Sequence, residues 1–335
     1  MKISIIGAGS WGTALSVVLQ SNGHDVLIWA REPEIVNAIN DNHRNPTYLP
    51  DLQIPEAIRA TEDFNEASTG RDLIVFATPS HTMREVAARI KPFLGGDEII
   101  VTVSKGIEKE TFMTMTQVLA QVLQDVIIED HIGTLSGPSH AEEVARQKPT
   151  VVVAAANSKS TARIIQETFM TPMFRVYLNN DVIGVEVAGA VKNIMAIAAG
   201  IVDGASLGDN AKAALLTRGL LEIKRLGTRL GASQDTFSGL AGVGDLIVTC
   251  TSEHSRNRYV GFHIGKGEKL SDIRKRMSMI AEGVKTTRSV YAWSQHLGIE
   301  MPITEMVYKV LFEEKDSQEA MYELMTRESK EEILI

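Results

Sequence analysis

Six β-branched runs alternate with helix-patterned segments through the first half of this chain, at residues 3–6, 26–29, 73–77, 99–103, 134–136 and 151–155. Segments 13–20, 82–90 and 114–123 between them have helical length and apolar spacing. This alternation constrains the fold more than any other feature. Parallel strands need long crossovers, and helices serving as crossovers cover both faces of the sheet. A last extended piece, 174–178, is expected to close the sheet. After Asn179-Asn180-Asp181 the β-branched runs stop and the chain turns rich in Ala, Leu, Glu, Lys and Met. Helices are predicted at about 182–202, 210–230, 258–264, 270–276 and 286–297, with two more near the C-terminus. The fold class is α/β. A Rossmann-like, mostly parallel sheet domain over residues 1–181 precedes an all-helical domain over 182–335. With no repeat or long linker between them, the two should pack directly, with the site between. The charged tail at 328–332 reads as a solvated helix end.

Composition narrows the ligands. A formal net charge of -8 argues against general nucleic-acid binding, so an anionic ligand must be held by local positive charge. Cys250 is the only cysteine, which excludes an intramolecular disulfide and a cysteine-rich metal site, and fits a reducing compartment. Following Val248 and Thr249 in an apolar stretch, it reads as a small buried hydrophobe. No charged leader with an apolar run precedes the first strand near Lys2, so a cytoplasmic location is expected. The most apolar helical stretch, 185–202, contains Glu186, Lys192 and Asn193, which favours a buried helix over a membrane span.

Gly7-Ala8-Gly9-Ser10-Trp11-Gly12 follows the first strand and opens a helix. In that setting Gly7 permits the tight turn, Gly9 lets a pyrophosphate approach the backbone, and Gly12 allows close helix–strand packing, while the helix N-terminus favours an anion. At the end of the second strand Arg31 would favour a 2′-phosphate and Glu32 a 2′-hydroxyl. NADP(H) is slightly preferred, and use of NAD(H) also fits. Ser104-Lys105-Gly106 sits at the carboxyl end of the fourth run, where doubly wound folds bind ligands, although a surface-loop lysine is an equal reading for Lys105. Gly137-Pro138-Ser139-His140-Ala141 likewise joins a strand to a helix, with Ser139 available as a cap or ligand donor.

Lys192 lies on a helix that is apolar nearly all round. Burial lowers a lysine pKa, which suits proton exchange with an alcohol or carbonyl near neutral pH. The alternative is a buried ion pair with Asp245 or Glu186. Further on, the glycine-rich block at 239–246 carries Asp245, and Ser255-Arg256-Asn257 offers hydroxyl, guanidinium and amide donors suited to a small phosphorylated substrate. His140, His254 and His263 form no ligand-like cluster, and no metal is expected.

Taken together these pieces resemble the NAD(P)-dependent glycerol-3-phosphate dehydrogenase family, its bacterial soluble form in particular. The matching segments are GAGSWGTA at 7–14, SKG at 104–106, GPSHAEEVA at 137–145 and EVAGAVKNIMAIAAG at 186–200. NAKAALLTRGL at 210–220, GLAGVGDLIVTC at 239–250, SRNR at 255–258 and AEGVKT at 281–286 follow in order. The resemblance implies interconversion of dihydroxyacetone phosphate and sn-glycerol 3-phosphate, for glycerophospholipid synthesis, by a homodimer. It implies Lys192 as proton donor or acceptor, with Lys105 and Asp245 in the same polar cluster. Ser255, Arg256 and Asn257 would hold the substrate, with Gly137 and Ser139 lining it. Ser10, Trp11, Arg31, Lys105, Ala141, Arg256, Ile280 and Glu282 would contact the dinucleotide. Other two-domain dehydrogenases share a glycine loop and a helix-borne lysine, but the 239–246 block and SRNR set this chain apart from them.

Overall fold

A computed structural model describes residues 1–277, 281–329 and 331–332. Its strands are β1 (Lys2–Ile6), β2 (Asp25–Trp29), β3 (Arg44–Asn45), β4 (Leu49–Gln53), β5 (Arg59–Thr61), β6 (Leu73–Phe76), β7 (Ile99–Thr102), β8 (Ile132–Ser136), β9 (Thr150–Ala156) and β10 (Phe174–Asn179). Eight of them form one sheet in the order β10-β9-β8-β7-β6-β1-β2-β5. Every pairing in it is parallel except β8 with β9. Alternation of side chains along each strand feeds two separate cores. Ile3, Ile5, Ile28, Leu73 and Val75 enter one layer, while Ile6, Trp29, Ile74, Phe76 and Ile100 enter the other. The covering helices are α1 (Ser10–Ser21), α2 (Pro33–Asn42), α3 (Phe64–Ser68), α4 (Met83–Ile90), α5 (Met115–Leu123), α6 (Ala141–Ala145) and α7 (Lys159–Phe169).

The remainder is helical: α8 (Val182–Gly204), α9 (Asp209–Arg229), α10 (Asp245–Thr251), α11 (Arg256–Gly265), α12 (Leu270–Arg276), α13 (Glu282–Leu297), α14 (Pro302–Phe312) and α15 (Ser317–Met325). Helix α8 is its axis. By length and composition α8 could cross a membrane, but 94% of its most apolar window is buried inside the protein. Helix α11 lies against it almost backbone to backbone: a Cβ on Gly261 would fall 1.9 Å from the Ile197 carbonyl oxygen. Two carboxylates tie the helical half together and to the sheet domain. Asp181 caps α8 through the Gly184 N–H (2.8 Å) and also accepts from the Ser233 N–H (2.9 Å) and the Thr236 hydroxyl (2.6 Å). Buried Glu186 accepts from the Thr116 N–H (3.0 Å) and hydroxyl at the start of α5.

Several elements differ from the sequence reading. The hairpin of β3 and β4 and the three-residue β5 carry too few residues for a periodic signal. Helix α10 arises from a stretch whose valine and threonines favour strand. Helices α11 and α13 begin at Arg256 and Glu282, two and four residues earlier than predicted. The last described helix ends at Met325, so Glu328 and Ser329 are irregular and do not form the expected helix end. That stretch is polar throughout and has no apolar face to dock.

Candidate active site

The loops at the carboxyl ends of β1, β2, β6, β7 and β8 meet above the sheet, and the strand order reverses at β1, which opens a crevice there. Gly7 has φ +123°, and a Cβ on it would lie 2.8 Å from the Ala77 carbonyl oxygen in the loop after β6. Gly12 packs under the turn, since a Cβ there would fall 2.0 Å from the Gly7 carbonyl oxygen. Gly9 is the N-cap of α1, whose first turn carries no side-chain cap and no acidic residue. The partial positive charge of that helix end is therefore open to an anion, and this cradle fits a dinucleotide pyrophosphate. Ser10 is buried at the helix start, and the Trp11 ring tilts against Phe174 at 6.5 Å between centroids. Ala141 starts α6, which packs beside α1.

After β2, Arg31 and Glu32 pair with each other. The Arg31 Nη2 and Nε donate to Glu32 Oε1 at 2.5 and 3.1 Å, with the arginine side chain 76% exposed. The two residues that point toward different cofactors thus form one surface unit.

A charged cluster lies between the sheet domain and α8. Lys192 is buried, and its Nζ donates to Asp245 Oδ1 and Thr249 Oγ1, each at 2.6 Å. Lys105 Nζ donates to Asp245 Oδ2 at 2.6 Å and to the Gly137 carbonyl at 3.1 Å. One buried carboxylate thus bridges two ammonium groups, one from each half of the chain. Burial pushes the Lys192 ammonium down to about 8; the Asp245 charge opposes that shift and the Lys105 charge adds to it. Burial alone would raise the Asp245 carboxyl, but Lys105 and Lys192 outweigh it and hold it below its ordinary value. Of the two ion-pair partners considered for Lys192, the structure provides Asp245; Glu186 instead holds α5.

The other expected residues surround this pair of lysines. Ser139 does not cap α6: His140 stands at the N-cap, and the Ser139 hydroxyl donates to the Gly137 carbonyl at 2.9 Å. The tight loop at Gly137, with φ +135°, turns Ser139 back on itself before the helix begins. Ser255 caps α11, accepting from the Arg258 N–H at 3.2 Å. Arg256 is exposed in the first turn of α11 and makes no ion pair among the described residues, whereas Arg258 is tied to Asp203 at 2.7 Å. Asn257 bridges helices: its Nδ2 donates to Asn193 Oδ1 and its Oδ1 accepts from the Gly283 N–H, both at 2.9 Å. Glu282 reaches the loop after β6, accepting from the Ser80 N–H at 3.0 Å and hydroxyl at 2.6 Å. Ile280 lies outside the described residues.

Thr249 was missed by the sequence reading, although its spacing of four from Asp245 becomes informative once α10 is a helix. Asn193 and Ser80 were likewise not singled out for the contacts they make. Cys250 is buried, and burial pushes its thiol up to about 12, so it stays protonated at neutral pH. The His140 and His254 rings stand 5.8 Å apart, and burial first, then the Lys192 charge, lowers the His140 imidazole. No group of three or more potential metal ligands occurs among the described residues.

Family models for the NAD-dependent glycerol-3-phosphate dehydrogenase N-terminus and C-terminus match residues 2–162 and 181–322. Glycerol-3-phosphate dehydrogenase [NAD(P)+] 1 of Salinibacter ruber is 54% identical, over 99% of this chain and 97% of its own length. The corresponding Chlorobium phaeobacteroides enzyme is 52% identical over 99% of both chains. The crystal structure of glycerol-3-phosphate dehydrogenase from Coxiella burnetii superposes with a TM-score of 0.93 at 40% identity, covering 97% of this chain and 99% of that one. The paired lysines on a shared aspartate thus sit in a chain that belongs to the NAD(P)-dependent glycerol-3-phosphate dehydrogenase family.

Proposed function

We propose that this protein interconverts dihydroxyacetone phosphate and sn-glycerol 3-phosphate with NAD(P)H, supplying glycerophospholipid synthesis, and that Lys192 moves the proton. The observation that carries this reading is the unspent donor capacity of the buried cluster. An ammonium has three N–H bonds. Lys192 uses two, on Asp245 and Thr249, and Lys105 uses two, on Asp245 and Gly137, so each keeps one for a ligand.

When bound, the nicotinamide supplies or accepts the hydride. The chain itself binds, orients and moves protons. Lys192, with its ammonium near 8, is mostly protonated at neutral pH and can give a proton to an alkoxide oxygen; above that it is the base the reverse direction needs. Asp245 aims both ammonium groups, and its charge favours the protonated form of buried Lys192. Lys105, on the loop after β7, would serve substrate and dinucleotide alike. Arg256, the Ser255 hydroxyl and the remaining Asn257 amide hydrogen sit at the start of ten-residue α11 and would take the phosphate, with Gly137 and Ser139 lining the other wall. Phosphate binding away from the reacting carbon orients the ketone. Arg256 would also contact the cofactor, together with Gly7, Gly9, Ser10, Trp11, Gly12, Arg31, Ala141, Ile280 and Glu282.

Residues 1–181 are assigned to the dinucleotide and 182–335 to the substrate, a division supported by the change from strands to helices after Asn179. The expected working state is a cytoplasmic homodimer, to be checked by sedimentation. Turnover of dihydroxyacetone phosphate with NADPH or NADH, far slower when dihydroxyacetone replaces it, tests the reaction; failure with both cofactors would refute it.

NADPH is assigned as slightly preferred on the strength of Arg31. Arg31→Ala is expected to weaken NADPH binding much more than NADH binding in a titration. Because Glu32 holds that guanidinium, Glu32→Gln should shift the preference further toward NADPH. Equal losses for both cofactors in Arg31→Ala would remove Arg31 from 2′-phosphate recognition.

A further inference from the structure

The glycine loop is held by a residue that lies far from it in sequence. Asn45, on the two-residue strand β3, is fully buried. Its Nδ2 donates to the Ala8 carbonyl at 2.8 Å and to Thr13 Oγ1 at 2.9 Å, and its Oδ1 accepts from the Tyr48 N–H at 3.3 Å. Thr13 Oγ1 adds a weaker bond to the same Ala8 carbonyl at 3.3 Å. The carbonyl in the middle of the turn thus receives two donors from the protein interior.

A trans peptide is planar, and its C=O and N–H point in opposite directions. Fixing the Ala8 carbonyl inward therefore fixes the Gly9 N–H outward. A Cβ built on Gly9 meets nothing within 4 Å, and no acceptor for the Gly9 N–H occurs among the described residues. With no side chain capping α1, the orientation of this peptide depends on Asn45 and Thr13.

We infer that Asn45 is a positioning residue for dinucleotide binding: through the Ala8 carbonyl it sets the Gly9 N–H as a fixed donor to the pyrophosphate. This rests on the dinucleotide reading of the loop. Asn45, fully buried behind the loop, acts on affinity by keeping one peptide plane from rotating. The hairpin of β3 and β4 thereby has a function beyond covering the sheet.

Asn45→Asp tests this, because a carboxylate keeps the shape but turns the donor into an acceptor facing a carbonyl. The probes are ADP-ribose, which contains the pyrophosphate, and adenosine 2′-monophosphate, which lacks it, titrated into the full-length protein. The expected result is a loss on the order of thirtyfold in ADP-ribose affinity, with adenosine 2′-monophosphate binding unchanged. The apparent KM for NADPH should rise in step while kcat at saturating NADPH stays within about threefold. Thr13→Val, nearly isosteric, should give a smaller loss of the same pattern and keeps the test available if Asn45→Asp does not fold. Equal losses for both probes, or none for ADP-ribose in either variant, would overturn the positioning role. Failure of the wild type to bind ADP-ribose would instead overturn the dinucleotide reading itself.

Discussion

Lys192→Met is expected to lower turnover in both directions by on the order of a hundredfold or more while leaving dinucleotide affinity near wild type. Methionine fills much of the volume that the lysine stem occupies on α8, so the packing around Val191, Ile194 and Met195 is kept. Asp245 is not left alone by the substitution, because Lys105 still holds its Oδ2 at 2.6 Å. What is lost is the one group in this cluster that combines burial, a spare N–H and an ammonium near 8. Stopped-flow reduction under single-turnover conditions separates this from slower product release. Turnover within a few-fold of wild type would remove Lys192 from proton transfer and leave it as a structural partner of Asp245.

Arg256→Lys should be nearly as damaging, although it conserves charge. A guanidinium presents parallel N–H donors that match two phosphate oxygens, whereas an ammonium is a point charge of shorter reach. A large rise in the apparent KM for dihydroxyacetone phosphate is expected, with a fall in kcat because the phosphate contact also aligns the ketone. Arg256 is exposed and unpaired among the described residues, so the substitution should cost little stability. The control is dihydroxyacetone: a very poor substrate for the wild type, it should lose comparatively little further rate in the variant. Equal damage to both substrates would assign Arg256 to the cofactor or the fold.

Most of the main sheet was legible because its central strands are buried on both faces and announce themselves as β-branched runs. Three-residue β5 is too short for such a pattern, and the reversal at β8 and β9 leaves no mark on composition. Lys192 was legible for a related reason: a charge on a helix apolar all round is a contradiction that chemistry resolves. Of its partners, Asp245 was a candidate from the sequence, whereas Thr249 was harder to see. Asp245 and Thr249 join through one turn of α10, a helix whose valine and threonines disguise it. Ser80 meets Glu282 across 202 positions of sequence, a contact that only the packing of the two halves creates. Asn45 had no signal at all, because a lone asparagine in a short hairpin looks like an ordinary turn residue.

The alkaline limit of ketone reduction is expected to belong to Lys192 and to be set by Asp245, and the pH dependence of kcat/KM for dihydroxyacetone phosphate reads both. This ratio reports groups of the free enzyme. In the wild type the reduction rate should fall as pH rises through about 8, where Lys192 loses its proton. The Asp245 charge raises the Lys192 ammonium against the effect of burial, so removing it in Asp245→Asn must move the limb to lower pH. Such a downward shift, together with loss of the limb in the residual activity of Lys192→Met, is the predicted result. A limb that stays in place in both variants would belong to another group and exclude Lys192 as the proton donor.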